Sequence, residues 1–128
     1  MVFVTVWVQQ RRLNSVRSSV GLVKIVLMTE NMLNPLDVAS NVYRFKMEND
    51  QVRVLNATFK PGSKALMHHH PDHVVYVIEG GKMKLTSQGK TDTLDLKAGD
   101  AIFLKAQSHE AENIGKTAIE LLVVELKK

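Results

Sequence analysis

The chain has 128 residues, with 45% hydrophobic and 23% charged side chains. This is enough for one buried core, too little for two, and too balanced for a disordered or collagen-like chain. With no cysteine there is neither a disulfide framework nor a thiolate metal site, so any metal must be held by nitrogen and oxygen, and a reducing cytoplasm is the expected setting. The net charge of +4 is carried by Arg11, Arg12, Arg17 and Lys24 in an acid-free segment, while residues 28–128 are neutral overall. No basic stripe lies on the folded part, so nucleic acid is not an expected partner.

Residues 1–27 are set apart as an N-terminal extension, either an accessory strand pair or a doubtful start, because Met28 opens a natural-looking beginning. Neither apolar run, Val2 to Val8 nor Val20 to Leu27, is long enough to cross a bilayer, and the basic residues follow the first run instead of preceding it as in a secretory signal. No membrane partner is therefore expected. Either run could offer a strand edge for pairing, and a homodimer is the expected assembly.

The second segment, 28–128, reads as one domain of short strands. After a short helix at Asn34 to Ala39, strands are predicted at Val42 to Met47 and Val52 to Phe59, then Met67 to His70 and His73 to Ile78. Lys82 to Thr86 and Thr91 to Leu96 alternate apolar with polar about Ser87, Gln88 and Gly89, as a hairpin does. Ala101 to Leu104, His109 to Asn113 and Ala118 to Leu126 follow. The fold class is all-β.

All five histidines fall in two places, His68, His69, His70 and His73 in one and His109 in the other. Along a strand, His68 and His70 share a face and His69 takes the opposite one. His73 has the wrong parity for the inner face, and a bulge at Pro71 is expected to restore it. His109 can join only if its strand lies beside the first. Imidazole is the commonest protein metal ligand, and two imidazoles two residues apart on one face can grip one ion.

The run Gly62, five residues, His68, one residue, His70, two residues, His73, six residues, Gly80 resembles the first motif of the cupin superfamily, G-x5-H-x-H-x3-4-E-x6-G. Gly99, Asp100, four residues, Lys105, Ala106, Gln107, Ser108, His109, three residues, Asn113 resembles its second, G-D-x4-P-x-G-x2-H-x3-N. The resemblance implies a double-stranded β-helix, a jelly-roll-like barrel, with His68, His70 and His109 as ligands and His73 as a fourth ligand or a packed barrel histidine. It departs from the motif in residue type and in spacing: His73 stands where the family has glutamate and one residue closer to His70, Lys105 and Gln107 replace its proline and glycine, and the segment before His109 is one residue shorter.

Such a site would hold one divalent ion, iron, manganese, nickel, cobalt or zinc, with positions left for a small-molecule ligand. Neutral imidazoles leave the ion's charge uncancelled and favour anionic oxygen ligands. Asp72, Tyr76 and Lys105 are the nearest candidates for proton transfer, and no carboxylate is offered to the ion. Glu79 reads as a turn acid, Glu110 and Glu112 as outward, and Asn113 as a turn stabiliser. The leading reading is a dioxygenase-like metal enzyme, or an isomerase, on a small anionic oxygenated substrate. The alternatives are a non-catalytic sensor or carrier, and a module without metal.

Overall fold

The computed structural model describes residues 33–128, so the extension expected over 1–27 and the strand edges proposed there lie outside the described residues. The expected helix reduces to one turn, α1 (Pro35–Val38), with Asn34 as its cap accepting from the Leu36 N–H at 3.1 Å and proline at its start. The strands that follow are β1 (Tyr43–Glu48), β2 (Val52–Phe59), β3 (Lys64–His70), β4 (His73–Glu79), β5 (Gly81–Ser87), β6 (Lys90–Leu96), β7 (Ala101–Leu104), β8 (Gln107–Asn113) and β9 (Ile119–Leu126). β3 starts earlier than the hydrophobic alternation predicts, because Lys64 and Ala65 pair with Glu112 and Ala111 of β8.

Two antiparallel sheets face each other, one ordered β1-β2-β9-β4-β7 and the other β3-β8-β5-β6. Their inner faces are set by period-two alternation, as along β9, where Ile119, Leu121 and Val123 are buried and Glu120, Leu122 and Val124 are half-buried on the other face. Leu55, Ala57 and Phe59 of β2 and Val75 and Val77 of β4 join them, against Ala65, Met83, Leu96 and Ala111 of the other sheet. This is the double-stranded β-helix expected from the sequence.

The bulge expected at Pro71 lies elsewhere. Pro71 and Asp72 carry the chain from β3 in one sheet to β4 in the other, so His73 faces inward because a new strand begins, not because an old one is re-aimed. The bulge sits within β3: Ala65 pairs with Ala111 and His68 with His109, so three steps of β3 match two of β8. That extra residue keeps Ala65, His68 and His70 all on the inner face.

Two glycines of the motifs have backbone reasons. A Cβ on Gly80 would stand 2.1 Å from the Leu96 carbonyl oxygen, and Gly99 turns the chain before β7 at φ +95°. Asn113, fully buried, ties the end of β8 to its surroundings: its Nδ2 donates to the carbonyls of Phe59 (2.9 Å) and Thr117 (2.8 Å), and its Oδ1 accepts from the Gly115 N–H at 2.9 Å. Asn113→Ala strands those three backbone groups and is expected to cost about 3 kcal/mol, lowering the urea midpoint by roughly 1–2 M. A loss below about 1 kcal/mol would show that water replaces the amide.

Candidate metal centre

The end of the barrel interior away from Ile119 and Asn113 is imidazole. His68 and His70 come from the inner face of β3, His109 stands directly across the ladder from His68 on β8, and His73 opens β4. His68, His70 and His73 are 0–1% exposed and His109 is 4%. The candidate donor atoms of His68, His70 and His109 lie within 4.8 Å of one another. The ring of His73 lies 4.6 Å from that of His70 and 6.3 Å from that of His109, beside this three-donor group but outside it.

Each ring is oriented by an acceptor behind it. The Nδ1 of His68 lies 2.6 Å from the Leu66 carbonyl oxygen and that of His73 2.7 Å from the Pro71 carbonyl oxygen. The Nδ1 of His70 lies 2.6 Å from Glu125 Oε2, and that of His109 lies 2.8 Å from Gln107 Oε1. Carbonyl and carboxylate oxygens only accept, so in all four rings Nδ1 carries the proton and donates, leaving Nε2 as a bare lone pair. This is the tautomer a metal ligand needs, fixed by the partner behind it.

Those lone pairs are short of donors. The Tyr43 hydroxyl lies 3.0 Å from His68 Nε2 and 3.2 Å from His70 Nε2, but its one proton can serve only one of them. The other is a buried acceptor facing an oxygen lone pair, an arrangement that a cation relieves. The donor set therefore fits a metal ion held by His68, His70 and His109.

Burial also prepares the imidazoles. It pushes the pKa of His109 down to about 2, with His68 and His70 adding to the effect. It lowers His68 and His73 as well, partly opposed by their bonds to the Leu66 and Pro71 carbonyls, and it holds His70 well below the ordinary histidine value with help from His68 and His73. The imidazoles are therefore neutral at neutral pH and have no proton to shed before they could coordinate an ion. Burial, and then the charge of Glu125, raises the Tyr43 phenol above its usual value.

Glu125 and Tyr43 are the two residues the sequence reading missed. Glu125 is 3% exposed, with its Oε1 accepting from Arg53 Nε at 2.8 Å and its Oε2 from His70. Its parity was visible, since it continues the inward series Ile119, Leu121, Val123. No carboxylate joins the three-imidazole donor group, as expected, but one the sequence reading did not name stands behind His70. Tyr43 heads β1 on the inner face opposite Ala57 and is 5% exposed.

A cavity of about 420 Å³ adjoins the cluster. His70, His73, His109 and Tyr43 line it, with Phe59, Met83, Leu85, Leu94 and Leu121 among its apolar lining. Ser87, Gln88, Lys90 and Asp92 stand on the β5–β6 hairpin.

The proton-transfer candidates read from the sequence do not reach this space. Tyr76 is on the outer face of β4, 45% exposed. Asp72 accepts from the Ala106 N–H at 2.8 Å, the bond that chiefly lowers its pKa, and neither it nor Lys105 lines the cavity. His69 turns from the donor group, with its Nδ1 3.0 Å from Ser108 Oγ. Glu110 and Glu112 face outward to Lys64 and Lys84, each at 3.4 Å, and Glu79 is exposed.

Among the described residues, no helix is long and apolar enough to cross a membrane. No curated protein matches the chain by sequence. Solved structures do. A cupin domain from Bordetella pertussis Tohama I is 24% identical with a TM-score of 0.64, the match covering 68% of this chain and 93% of that one. An uncharacterised conserved protein with a double-stranded β-helix domain from Klebsiella pneumoniae subsp. pneumoniae MGH 78578 is 25% identical with a TM-score of 0.55, covering 68% and 84%. A Cupin 2 conserved barrel domain protein from Salinispora arenicola CNS-205 is 20% identical with a TM-score of 0.52, covering 67% and 74%. The sequence profile of the Cupin domain family matches residues 55–125, more than half of the chain and both histidine strands, and the chain belongs to that family.

Proposed function

We propose that this cupin is a mononuclear metal-dependent enzyme acting on a small oxygenated anion, with dioxygenase-like chemistry the leading subtype. The observation that carries the reading is the cavity of about 420 Å³, largely apolar, with His70 and His109 of the donor group in its lining. A buried metal site with nowhere for a ligand to go would favour a structural role. Here a small molecule has room beside the donors.

His68, His70 and His109 would hold the ion, which, when bound, supplies Lewis-acid polarisation of a chelated oxygen group or, as iron, a centre for dioxygen. The protein contributes orientation and exclusion of water. The Leu66 carbonyl, Glu125 and Gln107 fix the ring planes, and the apolar wall of Phe59, Leu85, Leu94 and Leu121 strips water from whatever binds. Lys90 on the hairpin offers a positive charge to the far end of an anionic ligand. With Asp72, Tyr76 and Lys105 away from the cavity, the reading favours substrates that arrive already ionised, such as enolates of diketones or phenolic acids.

The test is anaerobic reconstitution of the full chain with iron(II), followed by oxygen-uptake screening over diketones and phenolic acids. Substrate-dependent uptake that falls to background in the His68→Ala plus His109→Ala variant is the expected result. Retained iron with ligand binding and no turnover would replace the enzyme with a sensor or carrier.

A further inference from the structure

We propose that Tyr43 is a fourth protein ligand of the metal, its phenolate oxygen joining His68, His70 and His109. The inference rests on the reading that those three imidazoles hold an ion, and it adds a donor of different chemistry from another strand. Tyr43 lies on the inner face of β1 in the five-stranded sheet, whereas His68, His70 and His109 belong to β3 and β8 of the facing one. The phenol thus reaches the imidazoles from the opposite wall, its ring centroid 5.0 Å from that of His68 and 5.4 Å from that of His70.

The position of the oxygen is the main argument. Two donors each about 2.1 Å from a common ion stand about 3.0 Å apart at a right angle and about 3.4 Å apart at the tetrahedral angle. The Tyr43 oxygen is 3.0 Å from one Nε2 and 3.2 Å from the other. It therefore stands where a neighbouring ligand stands, and too far from both nitrogens to occupy the ion's own place.

Charge supplies the second argument. Three neutral imidazoles leave a buried dication uncompensated, which is costly in a low-dielectric interior. Of the acids near the site, Glu125 has both oxygens engaged, by Arg53 and by His70, and Asp92 is exposed on the hairpin. Tyr43 is the remaining oxygen donor within reach of the imidazole nitrogens. As the oxygen–metal bond forms, the phenol proton leaves to solvent.

The chain has only two tyrosines, Tyr43 and the exposed Tyr76, so a spectroscopic signal can be assigned by deletion. Iron(III) is loaded into the full chain, and its visible absorption and resonance Raman spectra are recorded beside its iron content. Wild type and Tyr76→Phe should both show a phenolate-to-iron(III) charge-transfer band with tyrosinate vibrations, and Tyr43→Phe should lack both. Zinc affinity of Tyr43→Phe, measured by chelator competition, should fall roughly tenfold or more. One iron per chain without the band in wild type and Tyr76→Phe would overturn the ligation alone. Failure of wild type to retain any metal would overturn it together with the metal-enzyme reading. If Tyr43→Phe does not fold, Tyr76→Phe decides the matter, because Tyr43 is then the only phenol present.

Discussion

Adding zinc to the metal-free protein at about a hundredfold over its dissociation constant is expected to raise the melting temperature by roughly 10–20 °C. The figure follows from linkage: a ligand that binds only the folded state at that excess stabilises it by about 2.7 kcal/mol, and each kcal/mol moves a domain of this size by about 4–8 °C. The structure gathers the donors in the folded state alone: bare nitrogens, rings locked from behind, and donor atoms of His68, His70 and His109 within 4.8 Å of one another. His68→Ala plus His109→Ala removes two of the three imidazole donors and should abolish the shift. The comparison is of shifts, with and without zinc, within each protein, so a lower baseline from the cavities left by the substitutions does not blur it. An equal rise in the double variant, by differential scanning fluorimetry with chelator controls, would place zinc binding somewhere other than this cluster.

Much of this architecture is legible in the chain because the signals are local. The hairpin at Ser87–Gly89 shows in the alternation on either side. The spacing that puts Gly80 and Gly99 in the two motifs reflects a close approach to the Leu96 carbonyl and a positive φ, each a requirement of a few residues of backbone. His68 and His70 share a face for the same period-two reason, and the position of His109 opposite His68 follows once the strands are known to pair.

What the sequence hid was non-local. Parity counted along one strand could not show that Pro71 and Asp72 cross between sheets, so inward-facing His73 was credited to a bulge that lies instead at Leu66 and Met67. Tyr43 reaches the imidazoles only because β1 belongs to the opposite sheet, and no short-range pattern brings residue 43 to residue 68. Glu125 was within reach of a pattern, since its parity matches Val123. An acid on an inner face is unusual enough to be discounted, and its partner Arg53 is 72 positions away.

Replacing Glu125 should therefore damage both stability and metal affinity, in a way that separates it from the surface acids. Glu125 is a buried carboxylate satisfied twice, by Arg53 Nε at 2.8 Å and by His70 Nδ1 at 2.6 Å. Removing one member of such a group leaves the others without partners in the interior, and Glu125→Ala is expected to cost about 3–5 kcal/mol. Glu125→Gln keeps the shape and one acceptor but turns an N–H toward either Arg53 or His70, both donors, and should cost about 2 kcal/mol. With its acceptor gone or weakened, His70 is free to rotate or to shift its proton to Nε2, and metal affinity should fall roughly 10- to 100-fold. Glu112→Ala provides the contrast. Its 3.4 Å pair with Lys84 is solvent-exposed on the outer face, and its loss should change stability by no more than about 0.5 kcal/mol and leave metal affinity unchanged. Urea unfolding of the metal-free proteins and chelator competition on the loaded ones read the two effects separately. Full zinc affinity in Glu125→Gln would mean that His70 needs no carboxylate behind it, and a stability loss in Glu125→Ala as small as that in Glu112→Ala would mean that Arg53 and His70 find other partners.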